Sequence, residues 1–226
     1  MIILTGASGG LGLALIKNLA KIDFVCGIYH KNKPKLPSIK NVKFIKVDLT
    51  KDNSIIKFIS ELSENKITVI HLAAHYKEKI LINMSALEYD EHYQINQKAI
   101  FMLNKYLIKR MIHNNWGRVI MISSPAAEKG HPGTSAYSST KSSLLGLSRV
   151  IANEYSQFNI TSNIIVAGYF DVGIYKTLSK ITKQKLIASI PSKKLGNIVS
   201  VANAIEFIIK SDFVNGSIIK VDGGVN

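Results

Sequence analysis

A single cysteine, Cys26, is present in 226 residues. One thiol closes no internal disulfide, and its place in the apolar run 24–28 reads as a buried, inert group in a reducing cytoplasm. Long apolar runs are also missing. Hydrophobic residues make up 46% of the chain, yet no uninterrupted segment approaches the roughly 20 residues a bilayer requires. No membrane span is expected, and with no charged-then-apolar leader ahead of the first apolar run, no secretory signal either. Arginine is scarce: only Arg110, Arg118 and Arg149 occur, and the remaining basic residues are lysines. The net charge of +14 is scattered among abundant Ile and Asn. No basic block is interleaved with aromatics as a stacking groove needs, so no nucleic-acid partner is expected. A weak general attraction to acidic partners remains. His71 and His75 flank Leu72-Ala73-Ala74, and no metal-ligand cluster of normal spacing can be built from them.

Repeats, low-complexity tracts and interdomain linkers are absent too, so residues 1–226 are expected to form one domain. Apolar runs at 2–4, 24–29, 42–47, 69–72, 118–122, 161–166 and 218–221 read as strands. Helix-period stretches near 10–20, 52–64, 86–114, 136–157 and 199–210 separate them. Strands joined by helices of this length pair in parallel through right-handed crossovers. The expected fold is α/β: a doubly wound, parallel, seven-stranded sheet of the Rossmann type, flanked by helices. Residues 31–40, with Pro34 and Pro37, read as a surface loop. The irregular stretch 169–198 follows the sixth strand, and ligands bind beyond strand carboxyl ends in such sheets. It is therefore the expected lid over a substrate.

What is present at the start is informative. Ile2-Ile3-Leu4 runs into Thr5-Gly6-Ala7-Ser8-Gly9-Gly10-Leu11-Gly12 and then into an amphipathic stretch. Strand, glycine-rich turn and helix in that order form the opening unit of a dinucleotide-binding fold. Gly6 permits a sharp turn, while Gly10 and Gly12 remove Cβ atoms that would block a pyrophosphate or the packing of helix on strand. The plain alternative is a glycine-rich loop of no special purpose.

Further along, Tyr137 and Lys141 stand four apart in a helical stretch, on one helix face. Such pairs arise by chance in a Lys-rich chain, and Tyr29 with Lys33 is another. Ser124 precedes Tyr137 by thirteen residues and directly follows an apolar strand; Asn96 precedes Ser124 by twenty-eight. Taken singly, these residues read as a solvated lysine, a capping serine and a helix asparagine. Together, in order and spacing, they resemble the Asn-Ser-Tyr-Lys tetrad of the short-chain dehydrogenase/reductase family, as the glycine turn does that family's Gly-x-x-x-Gly-x-Gly. Asp48-Leu49-Thr50, the stretch 191–196 and Val221-Asp222-Gly223-Gly224 extend the resemblance over nearly the whole chain. In length and C-terminal motifs it looks most like the 3-oxoacyl-[acyl-carrier-protein] reductases.

The resemblance implies a division of labour. A phenol has a pKa near ~10 and serves better as an acid than as a base at neutral pH, and a nearby ammonium lowers that value. Tyr137 would donate a proton to a carbonyl oxygen as hydride arrives at the carbon. Lys141 would tune Tyr137 and hold the nicotinamide ribose, Ser124 would orient the substrate oxygen, and Asn96 would hold a relay water. Ser123 is a neighbouring candidate for the serine's part. His131 reads as a solvent-facing loop residue that could touch substrate. Cofactor contacts would come from Thr5, Gly6, Ser8, Gly10, Leu11 and Gly12, and from Tyr29, His30 and Lys31 after the second strand. Asp48 and Leu49, Ala73 and Ala74, and Gly168 would add to these, with Tyr137 and Lys141 shared between cofactor and chemistry. Asp48 would accept a hydrogen bond from the adenine amino group.

Nucleotide choice turns on the end of the second strand, where NAD-preferring relatives carry an acid bonded to the adenosine ribose. Here Tyr29 takes that place, followed by His30, Lys31 and Lys33. Missing repulsion and nearby cations favour NADP(H) over NAD(H), although lysines that merely solvate a loop would look the same, and Gly9 occupies the place of the usual basic residue in the turn. Three departures from the family pattern stand out: His71-Leu72-Ala73-Ala74 for Asn-Asn-Ala-Gly, Ala167-Gly168 for Pro-Gly, and Val172 for the threonine that bonds the nicotinamide amide. The expected activity is NADPH-dependent reduction of a small or carrier-protein-bound carbonyl substrate in the cytoplasm. A sugar or secondary-metabolite oxidoreductase, a non-catalytic nucleotide-binding protein and an extended-type epimerase are the alternatives. By resemblance, a homodimer or homotetramer is expected, with Ala99, Met102, Leu103, Leu144, Leu147 and Ile151 serving either core or interface.

Overall fold

A computed structural model describes residues 1–225. Seven strands form one sheet in the order β3-β2-β1-β4-β5-β6-β7, every neighbouring pair parallel. They are β1 (Ile2–Leu4), β2 (Val25–Tyr29), β3 (Val42–Lys46), β4 (Ile67–His71), β5 (Gly117–Ser123), β6 (Ile160–Ala167) and β7 (Ile218–Val221). Ile2 pairs with Val25 on one side and Thr68 on the other, so β1 is buried on both faces and reads as an unbroken apolar run. From β1 the chain steps outward to β2 and β3, then crosses back to β4. The order reverses between β1 and β4, and the crevice at their carboxyl ends is where such sheets take a ligand.

Side-chain alternation sorts the core into two layers. Ile3, Cys26, Ile28 and Val69 face α2 (Asp52–Ser60), α4 (Ala99–His113) and α6 (Ser135–Tyr155). Ile2, Leu4, Val25 and Ile70 face α1 (Gly10–Ile22) and α8 (Ile198–Lys210). Leu15, Ile16 and Leu19 of α1 are fully buried at helical spacing, which fixes the helix entering the sheet straight from the glycine turn. Its N-cap, Gly9, supplies no side-chain cap and its first turn carries no acid, so the helix start keeps unsatisfied N–H groups for an anion.

The stretch 86–114 is not one uniform helix. α3 (Ala86–Tyr93), started by a capping box between Ser85 and Glu88, gives way to a π-helical turn, Gln94–Lys98, before α4. There the Ala99 N–H reaches back five residues to the Gln94 carbonyl. A π turn inserts a residue and resets the helix phase, and Asn96 inside it is fully buried. Two further helices, α5 (Ala126–Lys129) and α7 (Lys180–Ser189), were not visible as patterns. α5 is a single turn, and α7 buries no residue, so neither carries an apolar stripe. β4 ends at His71, one residue earlier than the apolar run, because the Leu72 N–H bonds the Thr5 hydroxyl at 3.0 Å.

On α4 and α6, Ala99, Leu103, Leu144 and Ile151 belong to the core, and Met102 and Leu147 are partly buried against it. Phe101 and Val150 on the same helices are exposed. Among the described residues no helix is long and apolar enough to cross a membrane.

Candidate active site

A cleft of about 550 Å³ opens at the carboxyl ends of the strands. Gly6, Ser8, Gly10, Leu11 and Gly12 form one wall. Gly6 turns at φ +70°, and a Cβ there would lie 2.8 Å from the Ala73 backbone, so the turn and the end of β4 fit only without it. Thr5 does not line the cleft. It is buried, and its hydroxyl accepts the N–H groups of Leu72 and Ala73 at 3.0 Å each, which seats Ala73 and Ala74 in the cleft wall.

Tyr29 and His30 line the cleft at the end of β2; Lys31 does not, because the chain turns away into the exposed loop. Opposite them, Asp48 Oδ1 accepts the Thr50 N–H at 3.0 Å and the Thr50 hydroxyl at 2.7 Å. Asp48 Oδ2 lies 3.6 Å from His30 Nε2. Burial pushes this carboxyl up, but the Thr50 hydrogen bonds and the charges of His30 and Lys51 outweigh it and hold it below the ordinary carboxylate value. Leu49 and Gly168 also line the cleft.

At the other end, the first two turns of α6 present Tyr137 and Lys141, both lining the cleft. Burial pushes the Tyr137 phenol above its ordinary value, against a Ser124 hydrogen bond that lowers it, and the nearby Tyr76 phenol adds to the rise. The proton therefore stays on the tyrosine at neutral pH. Lys141 is 3% exposed, and its ammonium donates to the Ile122 carbonyl at 2.8 Å. Burial pulls its pKa down to about 8. The nitrogen sits 5.9 Å from the centroid of the Tyr137 ring.

Of the two neighbouring serines, Ser124 hydrogen-bonds the phenol, whereas Ser123 donates to the Lys141 carbonyl at 3.4 Å and so braces α6. Asn96 is bonded on both sides of its amide. Its Oδ1 accepts the His75 N–H at 2.7 Å, and its Nδ2 donates to the His75 carbonyl at 3.0 Å and to Thr140 Oγ1 at 3.1 Å. Both amide hydrogens tie the loop after β4 to α6. His71 is buried, with Nε2 2.9 Å from Asn104 Oδ1; burial, opposed by that bond and reinforced by Lys141, lowers its pKa to about 4. His131 is exposed and does not line the cleft.

Tyr169 and Tyr175, which motif spacing did not single out, also line the cleft, and Tyr76 packs on Tyr137 beside it. The Tyr76 and Tyr137 rings meet edge to face at 5.0 Å, and Tyr169 meets Tyr175 likewise at 5.6 Å. Burial and the neighbouring phenols Tyr169, Tyr137 and Tyr76 raise the Tyr175 pKa to about 12, which gathers four tyrosines at the reactive end. Tyr76 could have been found from its place just past the fourth strand; Tyr169 and Tyr175 lie on a stretch without periodicity. Val172 lines the cleft with an apolar side chain that can bond no amide.

A protein-family model described as short chain dehydrogenase matches residues 1–183. The 3-oxoacyl-[acyl-carrier-protein] reductase FabG of Buchnera aphidicola subsp. Baizongia pistaciae is 30% identical over 234 residues, covering 99% of this chain and 96% of that protein. The FabG of Rickettsia conorii is 31% identical over 237 residues, covering 99% and 95%. The structure of ElxO with NADP bound shares the fold, with TM-score 0.91 at 22% identity over 99% of this chain and 97% of that one. The glycine cradle, the uncapped start of α1 and the Tyr137–Lys141 pair thus sit on a chain that belongs to the short-chain dehydrogenase/reductase family and is an NAD(P)-dependent oxidoreductase.

Proposed function

We propose that this protein reduces a carbonyl to an alcohol with NADPH, and that a 3-oxoacyl thioester is its substrate class. The observation that carries the reading is the Tyr137 phenol, kept protonated by burial, hydrogen-bonded to Ser124 and set beside the fixed ammonium of Lys141. The residues fit a dinucleotide: Gly6, Gly10 and Gly12 line the cleft beside the start of α1, and the N–H groups of that helix await a phosphate. When bound, the nicotinamide supplies the hydride. Tyr137 gives its proton to the oxygen that becomes the alcohol, a general-acid step suited to a phenol that holds its proton at neutral pH. Ser124 bonds that oxygen and fixes the carbonyl against the phenol. Lys141, anchored on Ile122, places a positive charge where negative charge develops on oxygen. Asn96 acts by position, locking the loop that carries Tyr76 to the helix that carries Tyr137.

The similarity to 3-oxoacyl-[acyl-carrier-protein] reductases supports the thioester, and a net charge of +14 suits an acidic carrier protein. Exposed Phe101 and Val150 on α4 and α6 support pairing with a second copy through those helices. The test follows nicotinamide absorbance with NADPH or NADH and an acetoacetyl thioester. Turnover that prefers NADPH and disappears in Tyr137→Phe is expected. Val172 favours a second reading, a nucleotide-binding protein of slow turnover; tight NADPH binding with no thioester consumed would select it.

A further inference from the structure

We propose that the lysine-covered lid around α7 is the surface on which this protein receives the acidic protein that presents its carbonyl substrate. The proposal rests on the thioester reading and assigns the face that meets the partner. Between Asp171 and Glu206 the chain holds no acidic residue, while Lys176, Lys180, Lys183, Lys185, Lys193 and Lys194 fall within that stretch. Elsewhere cations are paired with acids: Lys77 and Lys79 close on Glu88, Lys210 on Glu206 and Lys220 on Glu128. In the lid, Asp171 bonds Lys183 at 2.7 Å, and the charge of Lys176 acts on the same carboxylate. Lys193 Nζ donates to the Ala188 carbonyl at 2.7 Å, which folds the loop after α7 back onto the end of that helix. These contacts gather the lysines into one patch. Lys180, Lys185 and Lys194 are exposed, and no carboxylate among the described residues pairs with them.

The patch adjoins the reactive end of the cleft. Tyr175, next to Lys176, lines that cleft and lies close enough to Tyr137 for the two phenols to influence each other. Lys194 borders a second, smaller cavity whose wall includes Tyr169, a residue shared with the cleft. A partner seated here holds its bound group beside the general acid. The chemistry of the patch selects a protein. A nucleic acid is gripped by arginines and by aromatics free to stack on bases, whereas these cations are all lysines and Tyr175 is packed on Tyr169. A membrane surface takes a helix with a broad apolar face, and on α7 Ile181 is the one large apolar side chain that is exposed. One turn before Lys185, it gives a protein partner an apolar contact within a ring of cations. Mobile lysines opposite carboxylates speed encounter and fix orientation without tight binding, which suits a partner that must leave after each turnover.

The experiment compares an acetoacetyl group on an acidic acyl carrier protein with the same group on a small thiol, both with NADPH. Three proteins are assayed: the native chain, a lid variant combining Lys180→Glu, Lys185→Glu and Lys194→Glu, and a control combining Lys21→Glu, Lys57→Glu and Lys66→Glu. The control makes the same change in net charge at the other end of the sheet, in the last turns of α1 and α2 and just before β4. In the lid variant kcat/KM for the carrier-bound substrate should fall about tenfold or more, through KM, while the small thioester is turned over as before. The control should keep both activities. Added salt should slow the native protein on the carrier-bound substrate and leave the lid variant nearly level, because exposed charges are screened. Equal losses in lid variant and control would assign the effect to net charge and overturn the proposal. Carrier-bound turnover unchanged in the lid variant would overturn it as well. So would lid-dependent binding to anionic vesicles or duplex DNA with the carrier unaffected. If neither thioester is consumed, the reductase reading fails, and calorimetric titration with the carrier protein tests the surface by itself. Binding lost in the lid variant alone upholds the docking surface; no binding to the native protein removes it.

Discussion

Gly173 rests on Gly10. A Cβ on Gly173 would lie 3.0 Å from the Gly10 Cα, and Gly173 itself turns at φ +56°. The segment after β6 thus meets the glycine turn backbone to backbone, beside the start of α1. Gly10→Ala is expected to force the two segments apart, since backbone rather than a flexible side chain stands in the way. Dinucleotide binding, followed by nicotinamide fluorescence, should weaken about tenfold or more, while far-UV circular dichroism stays unchanged. Gly173→Ala should add backbone strain of about 1–2 kcal/mol and lower the thermal midpoint by a few degrees.

That contact also shows where the sequence stops being legible. The two glycine segments lie far apart in the chain, and neither carries a pattern that points to the other. The sheet and its flanking helices were readable because the strands are short unbroken apolar runs and the helices repeat apolar residues at helical spacing, as in Leu15, Ile16 and Leu19. Tyr137 and Lys141 were readable because four residues of helix bring them to one face. Tyr169 and Tyr175 were not, since an aperiodic segment placed by tertiary contacts carries no period. Asn96 was found by its offset, but its partners His75 and Thr140 arise from a π turn that no propensity announces. Lys31 looked equivalent to His30 in sequence, and only the turn of the chain separates them.

His71 makes the protein sensitive to acid. Burial, against the Asn104 bond and with help from Lys141, lowers its folded pKa to about 4 from the ordinary 6.5. The folded state therefore binds fewer protons than the unfolded chain between those values. The stability tied to the neutral ring is present above pH 6.5 and is lost as pH falls toward 4. The loss is on the order of 3 kcal/mol. Urea denaturation across that range should show it in the native protein. His71→Asn keeps a donor for Asn104 Oδ1 and offers an acceptor to Asn104 Nδ2, which is buried with no partner among the described residues. Its stability should be flatter over the same window.

Tyr76 packs edge to face on the reactive phenol, with its ring at 5.0 Å and an interplanar angle of 89° to Tyr137. Edge-to-face pairs contribute about 0.5–1.5 kcal/mol beyond their burial. Tyr76→Phe retains the ring and should retain turnover. Tyr76→Leu removes it, and kcat should fall roughly two- to tenfold with little change in cofactor affinity. Steady-state kinetics of the two variants side by side separate the ring's contribution from that of the hydroxyl. Equal losses in both would assign the effect to the Glu78 contact at 3.4 Å instead.

Lys141 places a charge where folding alone would not. Among the described residues its ammonium has one acceptor, the Ile122 carbonyl, and burial drags its pKa to about 8 from 10.5. Between these values the unfolded chain binds more protons than the folded one, so stability rises with pH across the window. Below pH 8 the full cost of the buried charge is present, on the order of 3 kcal/mol. Lys141→Met keeps the stem and discards the charge. Denaturation curves of the native protein and this variant share every other titration, so their difference isolates Lys141. The variant should be the more stable of the two below pH 8, the gap should narrow toward pH 10, and oxidoreductase turnover should be lost throughout. A gap that stays level with pH would mean the ammonium is solvated in the folded protein, and the stability cost assigned to it would be withdrawn.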